Sequence, residues 1–177
     1  VDRAFDFAAT HNDSIILLGA PPSHVEPEYG WIEKNNAVAN PWNLTMHRIR
    51  KFWEKPNRSI ASRLFQNGCL WNTMVLVGTI APFLSYFKRI VPETYSILHE
   101  IMQTKNIEEK NMLLNLIYPD LPSVNFSKTI LERCADHLCV MEISDICWSD
   151  WGNESRVLRD IDRLHLKLHI PEVHALV

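Results

Sequence analysis

The sequence has no excess of basic residues. Its 18 Lys and Arg are outnumbered by 21 Asp and Glu, for a net charge of −3. That balance does not suit a nucleic-acid backbone, so no nucleic-acid partner is expected. It still leaves room for a local basic pocket that takes a phosphorylated small molecule. No apolar run approaches the length that spans a bilayer, so no membrane partner is expected either. Cysteine is scarce: Cys69, Cys134, Cys139 and Cys147 form no CxxC pair and no secretory framework. A reducing compartment, the cytoplasm, follows. Cys134, His137 and Cys139 lie close in sequence, but a fourth ligand is missing and the segment alternates like a strand. Buried free thiols are expected there, not zinc. The opening Val1-Asp2-Arg3-Ala4-Phe5-Asp6 is no signal peptide. It has no initiator Met and enters what reads as the middle of a helix, so a chain cut from a longer one is expected. Internal repeats and low-complexity segments are absent too.

What remains is the composition of a packed globular domain of 177 residues, or a large piece of one, with 46% hydrophobic residues. Helical spacing of Phe5, Ala8 and Ala9 predicts a helix over 2–12. Ser14 to Leu18 is a short β-rich run and reads as a buried strand. Trp31-Ile32 and Met46 to Trp53 read as strands, the second ended by Pro56. Ser59 to Phe65 follows as a helix, with Asn57 or Ser59 as N-cap and Asn67-Gly68 as its left-handed close. Leu70 to Val77 is another strand. From about 79 to 118 the apolar spacing is helical, broken at Pro92 and again at Lys105-Asn106. A helix at Asn125–Arg133, a strand at Leu138–Ile143 and a closing helix at Ser155–Leu168 complete the pattern. Strands alternating with helices predict an α/β fold, three layers α/β/α around a mixed, mostly parallel sheet. Such sheets bind ligands at the carboxyl ends of their strands.

Four short segments put a polar or charged group beside aromatics and a Gly or Pro. They are Tyr29-Gly30-Trp31-Ile32-Glu33, Phe52-Trp53-Glu54-Lys55-Pro56, Gly68-Cys69-Leu70-Trp71-Asn72 and Trp148-Ser149-Asp150-Trp151-Gly152. Each has a plain structural explanation. Glu54-Lys55-Pro56 is a solvated ion pair before a turn, or a carboxylate for vicinal hydroxyls beside an ammonium for a phosphate. Gly30 is a bulge, or a place where a ligand meets bare backbone. Asn72 is a polar residue satisfied inside the core, or one that awaits a hydroxyl. Asp150, enclosed by Trp148 and Trp151, caps the helix that begins near Asn153 or holds a divalent metal. Glu108-Glu109-Lys110 reads as a solvated helix face, and His165, His169 and His174 as surface residues.

The ordered set resembles the sugar-binding half of the sugar-phosphate nucleotidylyltransferases, most closely the mannose-1-phosphate guanylyltransferases. YGWIE, FWEKP, IASRLFQNG, CLWN and WSDWG stand in that family's order, and Ser123 to Phe126 with Glu132 resembles the segment before the last motif. The resemblance implies a nucleotide-diphospho-sugar transferase-like fold with its N-terminal part missing. Residues 1–177 would then be the C-terminal portion of one nucleotidyltransferase domain, with a helical insertion at about 79–118. It implies sugar contacts from Tyr29, Gly30, Glu54 and Asn72, a phosphate contact and catalytic role for Lys55, and Asp150 as a catalytic ligand of Mg²⁺. Sugar 1-phosphate and a nucleoside triphosphate would be the partners, and GDP-mannose the product. Two departures stand out. The Gly-rich nucleotide-binding loop is absent, so the chain alone is expected to be inactive. After Asn72 the family continues Ser-Gly-Met-Phe, whereas this chain reads Thr73-Met74-Val75-Leu76, which adds bulk near the sugar. Two other readings stay open: a non-catalytic module that binds a sugar phosphate, and a protein-interaction module built on the helices of 79–118. The sequence carries no signal for an oligomeric state.

Overall fold

A computed structural model of the chain describes residues 1–42, 44–144 and 146–166. They divide into two compact units, the first ending at Ser144 and the second beginning at residue 145. The strands of the first unit are β1 (Ile15–Ala20), β2 (Gly30–Ala37), β3 (Met46–Glu54), β4 (Leu70–Val77) and β5 (Leu138–Glu142). Its longer helices are α1 (Asp2–Thr10), α2 (Arg58–Gln66), α3 (Ile80–Ile90), α4 (Pro92–Gln103) and α5 (Ile107–Ile117).

β1 is buried along its whole length, with β4 antiparallel on one side and β5 parallel on the other. Because side chains alternate along a strand, β1 feeds two cores. Ile15 and Leu17 join Phe52, Leu70, Tyr86 of α3 and Ile130 on one face. Ile16 and Leu18 join Ala4, Phe7 and Ala8 of α1 on the other. Helices therefore cover both faces of the sheet, which makes the three layers and the α/β class.

The sheet is mixed as expected, but it is not mostly parallel. β1–β5 is the one parallel pair among the described residues; β1–β4, β2–β3, β2–β4 and β3–β5 are antiparallel. The reason lies in the connections. Only residues 38–45 join β2 to β3, too short for the crossover a parallel pair needs. The pairings run β1–β4–β2–β3–β5 and return to β1.

Local signals explain the helix boundaries. Asn57 caps α2, its side chain accepting from the Ile60 N–H, and Gly68 closes the turn after it at φ +66°. Pro92 opens α4 at its first position, and Asn106 caps α5. Where one helix was expected over 125–133, the chain forms a π-helical turn (Ser127–Leu131), the short α6 (Glu132–Cys134) and a 3₁₀ turn (Ala135–His137). No helix among the described residues is long and apolar enough to cross a membrane.

In the second unit, Asn153 caps α7 (Glu154–Leu164) by accepting from the Arg156 N–H. The end expected for this helix, Leu168, and His169 and His174 lie outside the described residues.

Cys69, Cys134 and Cys139 are buried and Cys147 is exposed. Burial raises the three buried thiols, Cys69 to about 11. Native labelling with a thiol-disulfide reagent at pH 8 is therefore expected to give one fast thiol, Cys147, and three that react only on unfolding. A second fast thiol would show that a core differs from the one described.

Candidate functional site

The register of four strands builds the site. Gly19 of β1 pairs with Asn72 of β4, and Gly30 of β2 pairs with Glu54 of β3. β4 and β2 pair through Trp71–Trp31 and Leu70–Ile32, so one step further along that ladder Asn72 stands across from Gly30. Gly19, Asn72, Gly30 and Glu54 thus form one row across the sheet, at the end where β1 and β3 finish. Members of one row share a face. The adjacent row, Ala20, Trp71, Trp31 and Trp53, has its side chains on the opposite face.

Gly30 shows how tightly the first row converges. A Cβ there would stand 3.0 Å from Phe52 Cζ and 3.3 Å from both Asn72 Cβ and Glu54 Oε2. Glycine leaves bare backbone between a carboxylate and an amide, with the Phe52 ring beneath. Asn72 is buried. Its Nδ2 donates to Met74 Sδ at 2.9 Å, and its Oδ1 accepts the Met74 N–H at 3.2 Å.

Glu54 is half-buried, and its carboxyl titrates above the usual carboxylate range. Loss of solvent is the main cause and nearby Glu132 adds to it, while the Lys55 charge and a hydrogen bond from Ser127 act the other way. The Glu54 backbone N–H donates to Glu132 Oε1 at 2.9 Å, which fixes the end of β3 against α6. Lys55 follows in the left-handed region, φ +46°, and is exposed. That backbone turn disfavours a residue with a Cβ. It lifts Lys55 out of the strand ladder beside the Glu54 carboxylate.

The structure thus brings Gly30, Glu54 and Asn72 together, with Lys55 next to them. Tyr29 is placed otherwise. Its ring is 4% exposed and packs edge-on against Trp71, 5.0 Å between centroids. It supports the start of β2 from the Trp71 side. Sequence reasoning did not single out Ser127, whose Oγ lies 3.5 Å from Met74 Sδ and bonds the Glu54 carboxyl. A buried hydroxyl in a segment with buried Ile130 and Leu131 was the signal available. The π-helical turn that carries it is an irregularity often found at sites.

Asp150 belongs to the second unit. Its Oδ1 accepts the Gly152 N–H at 2.9 Å, and its two oxygens accept from Arg156 Nη1 at 2.9 and 3.0 Å. Asn153, not Asp150, is the cap of α7. A carboxylate is a suitable hard donor for Mg²⁺, but this one has both oxygens on a guanidinium. Among the described residues, no group of three or more His, Cys, Asp or Glu is placed to hold a metal ion. The described residues, as arranged, do not bring together a Mg²⁺ site.

A family model described as Nucleotidyl transferase matches residues 1–164. Among curated proteins, a mannose-1-phosphate guanylyltransferase of Escherichia coli is 24% identical over 156 residues, covering 86% of this chain and 32% of that protein. The mannose-1-phosphate guanylyltransferase RfbM of Salmonella typhimurium is 26% identical over 162 residues, covering 88% and 31%. The chain therefore spans about a third of the length of these relatives. Among solved structures, the one titled mannose-1-phosphate geranyltransferase from Thermus thermophilus has a TM-score of 0.68 at 23% identity. It covers 95% of this chain and 47% of its own.

Proposed function

Because this chain belongs to the nucleotidyl transferase family, we propose that it binds a sugar 1-phosphate as the acceptor in nucleotidyl transfer. The observation that supports this most directly is the bare Gly30 backbone where Glu54, Asn72 and Phe52 converge. Relatives named for mannose 1-phosphate make that compound the first acceptor to test, with GTP as donor and GDP-mannose as product.

In the proposed reaction a phosphate oxygen of the acceptor attacks the α-phosphorus of the nucleoside triphosphate in line. The bond to the β-phosphate oxygen breaks and pyrophosphate leaves. The chain's own part is to hold the acceptor. Glu54 accepts hydrogen bonds from two sugar hydroxyls, with Ser127 and the end of α6 fixing its position. Lys55 meets the acceptor phosphate as a compact positive charge. Phe52 lies under Gly30 and offers an apolar floor. Asp150 is engaged by Arg156, so no step is assigned to it.

The test is calorimetric titration of the 177-residue chain with mannose 1-phosphate and, separately, GTP. Binding of the sugar phosphate is expected, weakened about tenfold or more in Lys55→Met through loss of a charge-assisted contact. Equal affinity in both proteins rules out Lys55 as the phosphate ligand. Formation of sugar nucleotide by this chain alone is not expected.

A second reading, an interaction module, draws on the helical segment. α5 buries no residue, and Ile107, Met112 and Leu116 are more than 60% exposed. A largely apolar hollow of about 440 Å³, lined by residues including Leu84, Phe87, Leu98 and Met102, lies against α3 and α4. Absence of heat with every sugar phosphate and nucleotide would favour this reading.

A further inference from the structure

β4 carries a bulge whose central residue the acceptor reading does not use. Leu17 pairs with Leu76 and Gly19 with Asn72, so residues 73–75 of β4 stand against Leu18 alone. Thr73 anchors the bulge by donating to the Leu18 carbonyl at 2.7 Å. The surplus length forces Met74 into the left-handed region, φ +59°, a conformation suited to glycine and disfavoured for a residue with a Cβ. Met74 is half exposed, yet its side chain turns back to the row. Its sulfur meets Asn72 Nδ2 at 2.9 Å and Ser127 Oγ at 3.5 Å, and its N–H donates to Asn72 Oδ1 at 3.2 Å. One residue thereby engages both ends of the Asn72 amide.

Resting on the acceptor-site reading above, we propose that Met74 is the specificity-determining side chain of this pocket. It covers the Asn72 amide and selects a sugar phosphate that presents a deoxy carbon, not a hydroxyl, to that wall. A thioether is a weak acceptor and donates nothing. A hydroxyl pressed against it gives up water and gains little in return. A methylene or methyl group makes ordinary van der Waals contact with the same sulfur. For a fully hydroxylated sugar to reach Asn72, Met74 must swing out of the row. Its three rotatable bonds permit this, at a cost in affinity.

The test titrates the 177-residue chain and its Met74→Gly and Met74→Leu variants with mannose 1-phosphate and its 2-, 4- and 6-deoxy analogues. The unaltered chain is expected to bind at least one deoxy analogue about fivefold or more tightly than the parent. Leucine, apolar and of similar bulk, keeps that preference. Glycine uncovers the amide, so the parent gains about tenfold and the preference disappears. Equal affinities for all four ligands in the unaltered chain overturn the proposal, as does an unchanged preference in Met74→Gly. Gly30→Ala separates this failure from failure of the site itself. If Gly30→Ala weakens every ligand while Met74→Gly alters none, the acceptor site stands and the role of Met74 falls. If no variant alters any binding, or no ligand binds any of the proteins, both fall. The Asn72 side-chain amide signals in a ¹H–¹⁵N spectrum report on the contact directly. They are expected to shift in Met74→Gly with the remaining spectrum preserved.

Discussion

Glu54→Gln is expected to weaken sugar 1-phosphate binding about tenfold or more while making the unliganded chain more stable at neutral pH. The two effects share one cause. The Glu54 carboxyl has lost much of its water and faces Glu132, so folding favours its protonated form. In its charged form the group sits in a place that disfavours charge. Its pKa is raised on folding, so the native state binds the proton more tightly than the unfolded chain. The stability it withholds is withheld in full above the raised value and is regained as pH falls towards the ordinary carboxylate range. Gln removes that dependence. It keeps the shape and an oxygen for Ser127, but loses the charge that strengthens hydrogen bonds from hydroxyls, a difference of about 1.5–3 kcal/mol for one charged contact. Urea unfolding of both proteins at pH 7 and pH 4, beside calorimetry at pH 7, checks both halves. The stability gain should shrink at pH 4. A Gln variant that binds as tightly as the unaltered chain would remove Glu54 from the site.

Trp71→Ala is expected to cost about 3–5 kcal/mol, a large part of the 5–15 kcal/mol that holds a typical domain folded. Trp71 is 2% exposed. Its ring meets Tyr29 at 5.0 Å, His24 at 4.9 Å and Trp31 at 6.1 Å, all near edge-on. Trp31 in turn donates its indole N–H to the Glu26 carbonyl at 2.8 Å, tying the loop before β2 to the same cluster. Truncation leaves a void between three aromatic neighbours. It also loosens β4 one residue away from Asn72, so ligand binding should fall with stability. Thermal unfolding is expected to shift down by about 10 °C. A shift under about 2 °C would mean that the cluster relaxes into the gap and that β4 is held mainly by its ladders.

Much of the fold is written locally in this sequence. The strand Leu70–Val77, the helix breaks at Pro92 and Lys105-Asn106, and the cap Asn57 are each fixed by neighbours in the chain. Strand direction is not: the antiparallel majority depends on which strands meet after the helices between them pack. The segment after Asn125 reads as one helix, because apolar spacing alone does not reveal the extra residue that makes a π turn at Ser127–Leu131. The same division runs through the candidate site. Gly30, Glu54 and Asn72 are recognisable as polar or bare positions among aromatics, and their meeting follows from register. The fate of the Tyr29 ring does not, since a Tyr before a strand fits either side. Met74 was legible as an intruder where a glycine is usual, but its contact with Asn72 needed the bulge.

The row that joins Gly19, Asn72, Gly30 and Glu54 draws on four strands and on alternation within each. A slip of β4 by a single residue would carry Asn72 to the far side of the sheet and bring Trp71 to the ligand side. With the acceptor site proposed above, ligand recognition would therefore be digital with respect to strand pairing. A misaligned molecule is silent, not merely weak, and titration stoichiometry counts the fraction of chains whose ladder closed in the native frame.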